Sequence, residues 1–497
     1  MPLDGLQVCV GSSYEDCNPP EPKPEQGDEV VPKEFEEQCI GLISRMEATQ
    51  PRVIRLIRVF RVLQHGLWYG MRGRQDIMHD RSEEASEIDE FWSHSWQTSA
   101  WLKYMNILFL YNGFIACVVG TLVASVSFTL YILGVLPEFG EPPLSCRWCT
   151  PLGTAAYLLT LLLCERRAGV FLDIACIHQK DQRLKFEGVV SMGAILKRSK
   201  SMLVFWDPTY MTRLWCVFEL SAFLHMHSAG GLRVCPQLLG PVLLGLNLGL
   251  SVFNVLDQLL PHHGSWIYYT LLAATCFPCL TLLTYACRVY YRTVEMMSEH
   301  MRRFSMQQTT SSCCERNHVD ISPCDRTTIL RCIDAWLGSI DAFEKLVQTD
   351  VREALSHQLA SKAFSYRRLL LGSMAVLWVF MDISASDLKL RDMRADSIVQ
   401  NLTRAGAYYF ALVPSVFQLV LWLCYKLRHP CSIQLEILLS MAVVAAAVFA
   451  LLIAFVVEVL LWLLVVNAAV SSFIFLVLCC IGAVLSFRCW PGPKLDG

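Results

Sequence analysis

Long apolar segments alternate with polar ones along most of the chain, and they are the strongest pattern in the sequence. About 20 apolar residues are enough for a helix to cross a hydrocarbon core about 30 Å thick. The pattern predicts eight membrane-spanning helices, at 106–134, 150–165, 238–257, 266–288, 369–385, 406–426, 434–456 and 460–487. These helices would form four hairpins, over 106–165, 238–288, 369–426 and 434–487.

The last two predicted helices run into each other with no obvious turn residue between them. A single helix of about 55 residues would be about 80 Å long at 1.5 Å per residue. Because that length is far more than one crossing needs, we predict two helices with a turn near Glu458. Such a turn would place the Glu458 carboxylate at the membrane interface.

Shorter apolar runs predict buried strands rather than membrane helices. The runs are Phe91-Trp92, 168–173, 201–206 and 232–235. Apolar residues at helical spacing over 184–199 and 213–227 fall between the later runs. Strand and helix alternate, which predicts a small α/β domain with a parallel sheet, in two pieces at 85–105 and 168–236.

The distribution of Lys and Arg predicts which side of the membrane each segment faces. These residues number 11, 10 and 12 in 1–105, 166–233 and 288–368, but one, none and four in 135–150, 261–265 and 386–405. Because basic residues accumulate on the cytosolic side, we expect both termini and both pieces of the α/β domain in the cytosol. The two pieces must share one side to form one domain, so 106–165 is expected to be a hairpin that interrupts it.

The composition agrees with a multi-pass membrane protein whose surroundings are a lipid bilayer. Hydrophobic residues make up 54% of the chain and charged residues only 17%, against about 25% charged in soluble domains. The net charge of −2 gives no indication of a nucleic acid partner. Residues 1–45 are rich in proline and acidic residues and lack the features of a signal peptide, which predicts a disordered acidic tail in the cytosol.

Polar side chains follow the predicted strands at their carboxyl ends, where ligands bind in α/β sheets. The set consists of Ser93, His94, Asp173, His178, Asp207 and Tyr210, with Glu219 on the helix that begins there. We expect these side chains to converge on one binding site.

The motifs that carry these residues resemble a TIR domain. They are Ser93-His94-Ser95 after the first strand, Phe171-Leu172-Asp173 at the end of the second, and Tyr210 followed by Trp215-Cys216 and Glu219-Leu220. The resemblance covers 85–105 and 168–230, about a fifth of the chain, and implies a flavodoxin-like parallel sheet. The same blocks are similar to those of a family of multi-pass membrane proteins of unicellular algae.

In catalytic TIR domains, the helix glutamate that Glu219 matches assists cleavage of the bond between nicotinamide and ribose in NAD. The resemblance implies NAD as a candidate substrate and Glu219 as the catalytic residue. It also places Trp96, Trp206 and Trp215 in the binding set, with Trp96 or Trp206 stacking on the nicotinamide. A carboxylate suits this chemistry because it can stabilise an oxocarbenium-like charge. Glu219 equally fits a structural role near a helix N-terminus, where the helix dipole favours a carboxylate.

Other patterns predict features outside this domain. Arginine at every third position from Arg52 to Arg61, opposite an apolar face, predicts a basic amphipathic helix at 50–75 on an anionic membrane surface. Residues 289–367 are expected to form a cytosolic linker and, over 325–357, two amphipathic helices.

Two modification sites follow from short motifs. Cys146 and Cys149 lie in a predicted non-cytosolic loop, which makes a local disulfide plausible. Asn401 begins a glycosylation sequon on the same side. The residues Cys313, Cys314, His318 and Cys324 match no closed zinc pattern, and no metal site is predicted.

Two functions fit this organisation. In the first, a multi-pass membrane protein presents a TIR-like domain to the cytosol and signals by self-association or partner binding, with NAD cleavage as an additional activity. In the second, the chain is a transporter or channel that its cytosolic α/β domain regulates.

Overall fold

The computed structural model describes residues 33–70, 76–95, 99–139, 146–227, 229–259, 266–311, 324–359, 363–390 and 395–489. The chain divides into two compact units, which we call the α/β unit and the helical unit. The α/β unit comprises Met1–Tyr104, Glu165–Gln237 and Met296–Leu359. The helical unit comprises Met105–Cys164, Leu238–Glu295 and Ala360–Gly497.

The α/β unit contains a six-stranded mixed sheet. Its strands are β1 Arg55–Arg58, β2 Glu83–Glu84, β3 Glu90–His94, β4 Gly169–Phe171, β5 Met202–Trp206 and β6 Leu232–Pro236. They lie side by side in the order β2-β1-β4-β3-β5-β6. The four predicted strands are thereby confirmed as β3, β4, β5 and β6.

The four predicted strands run parallel to one another. Numbered along the chain among themselves, they lie in the order 2-1-3-4, which is the order of a doubly wound sheet of the flavodoxin type. Every residue of β4 and β5 is buried. Both faces of a parallel sheet are covered by other elements, so every side chain of such a strand is buried. For this reason continuous apolar runs predicted these strands.

The predicted amphipathic helix at 50–75 is wrong over its first part. Residues Arg55–Arg58 form β1, which pairs antiparallel with β2 and with β4. Leu56 and Ile57 are buried in the sheet, and Arg58 reaches Glu83, with Nε 2.6 Å from Oε1. The arginines thus bond to residues in and next to β2. The helical periodicity did not reveal these contacts because they join distant parts of the chain.

Helices make up most of the described chain. In its first half they are α1 Lys33–Arg45, α2 Val59–Gly70, α3 Asp76–His79, α4 Ala100–Ile107, α5 Gly113–Ile132, α6 Cys149–Leu163, α7 Asp173–Cys176, α8 Gln182–Val190, α9 Met192–Lys197, α10 Leu214–Met226 and α11 Leu239–Leu259. In the second half they are α12 Trp266–Arg302, α13 Asp325–Leu337, α14 Ile340–Leu346, α15 Arg352–His357, α16 Tyr366–Gly372, α17 Met374–Leu390, α18 Ala395–Gly406, α19 Val413–Lys426, α20 Ile433–Leu464 and α21 Ala468–Cys489.

The two amphipathic helices predicted over 325–357 are confirmed. The first is α13, and the second consists of α14 and α15 joined through a π-helical stretch at Val347–Val351. Gly338 separates them with a φ of 84°, a left-handed conformation that glycine adopts at helix ends. The Ser339 hydroxyl then caps α14 by accepting a hydrogen bond from the Ala342 N–H at 3.0 Å.

Five described helices are long and apolar enough to cross a membrane: Ala100–Ile132, Leu239–Leu256, Asp396–Lys426, Ile433–Leu464 and Ala468–Arg488. A sixth candidate is the pair α16 and α17, which is bent by 55°. The predicted span at 150–165 corresponds to α6, a shorter apolar helix. These helices indicate a membrane-embedded protein, whereas the number of eight spans and their orientation stay predictions.

Small residues allow three helices of the helical unit to pack closely. A Cβ atom on Gly120 of α5 would lie 2.8 Å from the Trp378 ring and 2.9 Å from the Gly153 carbonyl oxygen. Gly153 belongs to α6 and Trp378, which is fully buried, to α17. Close approach of backbones at small residues is the usual way in which membrane helices associate.

The predicted turn near Glu458 is wrong by several residues. Glu458 lies within α20, and the chain turns at 465–467. The Asn467 side chain accepts hydrogen bonds from the N–H groups of Ala469 and Val470 and so caps α21. Glu458 instead accepts hydrogen bonds from Arg404 at 2.6 Å and from Tyr408 at 2.7 Å.

Candidate functional site

Polar residues from four elements come together at the carboxyl-terminal edge of the sheet. Strands β3 and β5 pair side by side, and the chain leaves β3 for β4 on one side before returning to β5 on the other. Ligands of doubly wound sheets bind where the strand order reverses in this way. We call the residues gathered at this place the strand-end cluster, which consists of Ser93, His94, Asp173, Tyr210 and Glu219.

Ser93 lies at the centre of the strand-end cluster. Its hydroxyl donates to Oε2 of Glu219 at 2.5 Å and lies 2.6 Å from the hydroxyl of Tyr210. Ser93 is on β3, Tyr210 is in the turn after β5, and Glu219 is on α10. Ser93 and Tyr210 are buried, whereas Glu219 is partly exposed. The site therefore bonds the Glu219 carboxyl group to one hydroxyl and leaves this group partly exposed to solvent.

The protonation of Glu219 is strongly perturbed. Burial raises the pKa of Glu219 to about 8; the hydrogen bond from Ser93 opposes this rise, the charge of Asp173 adds to it, and Arg213 opposes it. Because the pKa lies near 8, the carboxyl group exchanges its proton close to physiological pH. Carboxyl groups perturbed in this way concentrate at functional sites.

His94 and Asp173 form the second half of the cluster. Nε2 of His94 is 4.0 Å from Oδ1 of Asp173. Burial lowers the pKa of His94 well below its usual value, and the charges of Lys103 and Arg213 lower it further. Burial raises the pKa of Asp173 to about 6. At pH 7 the imidazole is therefore neutral and can both donate and accept a hydrogen bond beside a carboxylate.

Asp207 connects the loops that follow β3 and β5. Its two carboxylate oxygens accept hydrogen bonds from the hydroxyls of Ser95 and Thr209, and its Oδ1 also accepts the backbone N–H of Thr209 at 2.7 Å. Nζ of Lys103 donates to the carbonyl oxygen of Ser95 at 2.8 Å. These hydrogen bonds show that Asp207 stabilises the two loops that border the site. Contact between Asp207 and a substrate stays a prediction.

Ser95, Thr209 and Lys103 are residues of the site that the sequence analysis missed. Ser95 was noted only as part of a motif, and Lys103 precedes the first predicted span, where it counted only as a basic residue on the cytosolic side. Cys216 is also present, with Sγ 3.7 Å from the carbonyl oxygen of His94. Burial raises the pKa of Cys216 well above its usual value, so it stays a protonated thiol rather than a nucleophile.

Four further predicted binding residues have different outcomes. His178 accepts the Asp181 N–H on Nδ1 at 2.8 Å, and its ring lies 4.9 Å from that of His79. Trp206 is 3% exposed and packs 5.3 Å from the Tyr210 ring, so its predicted stacking on a ligand is wrong for this arrangement. Trp215 is partly exposed and packs against Phe218. Trp96 lies outside the described residues.

The two modification sites predicted in the other unit do not fit the structure. Cys146 and Cys149 are both buried free thiols rather than a disulfide. Asn401 is 5% exposed inside α18, and its amide nitrogen donates to Asp387 at 2.8 Å. Glycosylation would have to modify that nitrogen, so the buried amide of the folded chain is not an acceptor. The three-residue sequon carries no information about burial.

The strand-end cluster offers two carboxyl groups, two hydroxyls and a neutral imidazole at the point of a sheet where ligands bind. These groups can hold the hydroxyls of a sugar and stabilise a positive charge that develops on it. No family model, no curated protein and no solved structure matches this chain.

Proposed function

We propose that this chain is a multi-pass membrane protein that presents a TIR-like α/β unit to the cytosol, and that the strand-end cluster binds and cleaves NAD. The observation that carries the proposal is the partly exposed Glu219 carboxyl group, which accepts a hydrogen bond from Ser93 at the reversal of the strand order. The motifs around Ser93, Asp173 and Glu219 and the 2-1-3-4 strand order support the TIR-like assignment.

The cleavage requires little more than a carboxylate. The bond between ribose C1′ and the nicotinamide nitrogen breaks, and its electron pair neutralises the pyridinium, so nicotinamide leaves without needing a proton. The ribose becomes an oxocarbenium-like cation, which the ionised Glu219 stabilises through its charge. Water then adds to C1′ and gives up its proton to Glu219 or to solvent, which yields ADP-ribose.

The neighbouring groups have supporting roles in this proposal. Ser93 orients the Glu219 carboxylate through its hydrogen bond, and Tyr210 in turn fixes the Ser93 hydroxyl. His94 and Asp173 lie on the same edge of the sheet, where an imidazole and a carboxylate can hold ribose hydroxyls. Signalling would follow from self-association of the α/β unit, as the resemblance implies, and the Lys and Arg distribution supports a cytosolic position for it.

The direct test is the release of nicotinamide from NAD by the full-length protein in lipid nanodiscs, measured by chromatography. It is run with dilute nanodiscs and again with several copies clustered on one liposome. We expect release by the wild type and a rate lower by on the order of 10³-fold for Glu219→Gln, as for the loss of a positioned acid–base group.

Glu187→Gln is the matched control. Glu187 is a carboxylate of the same unit that is 1% exposed, but it lies on α8 and pairs with Arg183. This variant should keep the wild-type rate. Absence of nicotinamide release from the wild type in both arrangements would overturn the proposed cleavage, and so would a Glu219→Gln variant as active as the control.

A further inference from the structure

A second cluster of reactive side chains lies in the helical unit. Cys146 precedes α6, Cys149 is its first residue, and Asp382 projects from α17. Their sulfur and oxygen atoms all lie within 4.8 Å of one another, and all three residues are completely buried. Sγ of Cys146 is 3.4 Å from Oδ1 of Asp382. We call these three residues the thiol–carboxylate cluster.

Hydrogen bonds explain why the carboxylate of Asp382 is held there. Oδ1 accepts the N–H of Cys149 at 2.8 Å, and Oδ2 accepts the N–H of Thr150 at 2.9 Å. Asp382 therefore satisfies the first amides of α6 and complements its dipole. Capping of α6 explains why a carboxylate lies at this position. It does not explain why two thiols lie next to the same carboxylate.

The distances fit a tetrahedral metal ion. With zinc–sulfur bonds of about 2.3 Å and zinc–oxygen bonds of about 2.1 Å, a sulfur and an oxygen ligand lie about 3.6 Å apart. The observed 3.4 Å between Cys146 and Asp382 is close to this value. The two cysteines are separated by two residues, a spacing common in zinc sites. Two thiolates and one carboxylate form a soft, anionic donor set that favours zinc over magnesium or calcium.

An unpaired hydroxyl lies beside these ligands. Thr150 directly follows Cys149 and is completely buried, and within the described chain its Oγ1 has no hydrogen-bond partner. Buried polar atoms are nearly always paired, so such an atom indicates a group that the protein atoms alone do not supply. Zinc sites with three protein ligands hold water in the fourth position. The Thr150 hydroxyl can bind that water.

We propose that Cys146, Cys149 and Asp382 bind one zinc ion, which ties the start of α6 to α17. Binding replaces the two thiol protons with the metal, and both protons go to solvent. The charge of the metal offsets two thiolates and a carboxylate that would otherwise repel one another in a completely buried place. The proposed ion holds the two helices together, and it is independent of NAD cleavage in the other unit.

The test measures zinc bound to the full-length protein in detergent. The purified protein is stripped with a chelator, reloaded with one equivalent of zinc, desalted and analysed for metal. We expect about one zinc per wild-type chain and its loss in the Cys146→Ser/Cys149→Ser double variant. Cys117→Ser is the matched control, since Cys117 is another buried free thiol of the helical unit and should leave zinc binding intact.

Two further measurements keep the test decisive if the double variant folds poorly. Cobalt loaded into wild-type protein should give the intense thiolate charge-transfer absorption of a sulfur-ligated ion, and Asp382→Asn should weaken cobalt binding. Added zinc should raise the Tm of the wild type but not that of the double variant. Equal zinc content in the wild type and a folded double variant would overturn the proposal, as would a Cys146–Cys149 disulfide that persists in freshly purified protein.

Discussion

Two carboxyl groups of this protein, the partly exposed Glu219 in the α/β unit and the buried Glu436 in the helical unit, have opposite kinds of partner. Glu219 accepts a hydrogen bond from the Ser93 hydroxyl. Glu436 lies between two guanidinium groups, 2.8 Å from Arg288 and 2.7 Å from Arg292. Arg288 is completely buried and also donates to the carbonyl oxygen of Leu427.

The difference separates a carboxylate that two cations hold in the helix packing from one that the proposed cleavage would use. Two arginines compensate the charge of Glu436 and hold it as an ion-paired carboxylate. The hydroxyl around Glu219 compensates its charge only in part, which is why burial raises its pKa to about 8. An acid that is costly to ionise in the free protein gains most from a cationic substrate.

Removal of Arg288 should have the largest effect on stability. Arg288→Met leaves Glu436 with Arg292 alone and orphans the carbonyl oxygen of Leu427, so we expect a loss of about 3–5 kcal/mol in the free energy of unfolding. Denaturant titration of the protein in detergent measures this loss. The exposed Arg303, which pairs with Glu299 at the surface, is the control: Arg303→Met should cost less than about 1 kcal/mol. Equal losses of stability in Arg288→Met and Arg303→Met would show that the ion pairs of Glu436 do not stabilise the helix packing.

The pH dependence of cleavage tests the proposed role of Glu219. If the ionised form of Glu219 is required, kcat/KM should fall toward tenfold for each pH unit below about 8, which amounts to about 50-fold between pH 8 and pH 6. Measurements of nicotinamide release across this range are sufficient. Activity that instead declines above pH 8 would show that the protonated acid is the active form.

The sequence was sufficient to find the parallel part of the sheet and the residues at its end. Strands β4 and β5 carry continuous apolar runs and β3 and β6 carry shorter ones, and Ser93, Asp173 and Glu219 belong to recognisable blocks. Strand β1 was not found in this way, because the arginines at every third position around Leu56 and Ile57 predicted a helix instead. Its arginines are held by Ser82 and Glu83, and this pairing exists only in the folded chain.

Contacts between distant positions also explain the failures in the helical unit. Cys146 and Cys149 are close to each other in sequence and therefore suggested a disulfide, whereas Asp382 is 236 positions from Cys146. Glu458 was expected at a turn because helix lengths alone do not locate one. In the folded chain Glu458 lies inside α20, where an ion pair with Arg404 compensates its charge. Patterns within one segment predict elements, but not the partners that elements bring to one another.

A smaller effect is expected on the stability of the α/β unit itself. Between about pH 4.5 and pH 8 the unfolded Glu219 releases its proton while the folded one keeps it, so the free energy of unfolding decreases as the pH rises through this window. The full difference between the two pKa values would amount to about 4 kcal/mol at pH 8. Because solvent screens the partly exposed Glu219, we expect Glu219→Gln to stabilise the protein by about half of that at pH 8 and hardly at all at pH 4.5. Tm values of both proteins at the two pH values measure it. A destabilised variant at pH 8 would indicate that Glu219 stabilises the fold.

The smallest effect isolates the hydrogen bond between Ser93 and Glu219. The bond favours the ionised carboxylate and lowers its pKa, so Ser93→Ala should raise the pH of half-maximal kcat/KM by about one unit, which corresponds to about 1.4 kcal/mol. Ser199→Ala is the control, because Ser199 is equally buried in the same unit but bonds to the Ile195 carbonyl oxygen. An unchanged midpoint in Ser93→Ala would mean that Glu219 ionises without help from Ser93, and the burial of Glu219 alone would then set its pKa.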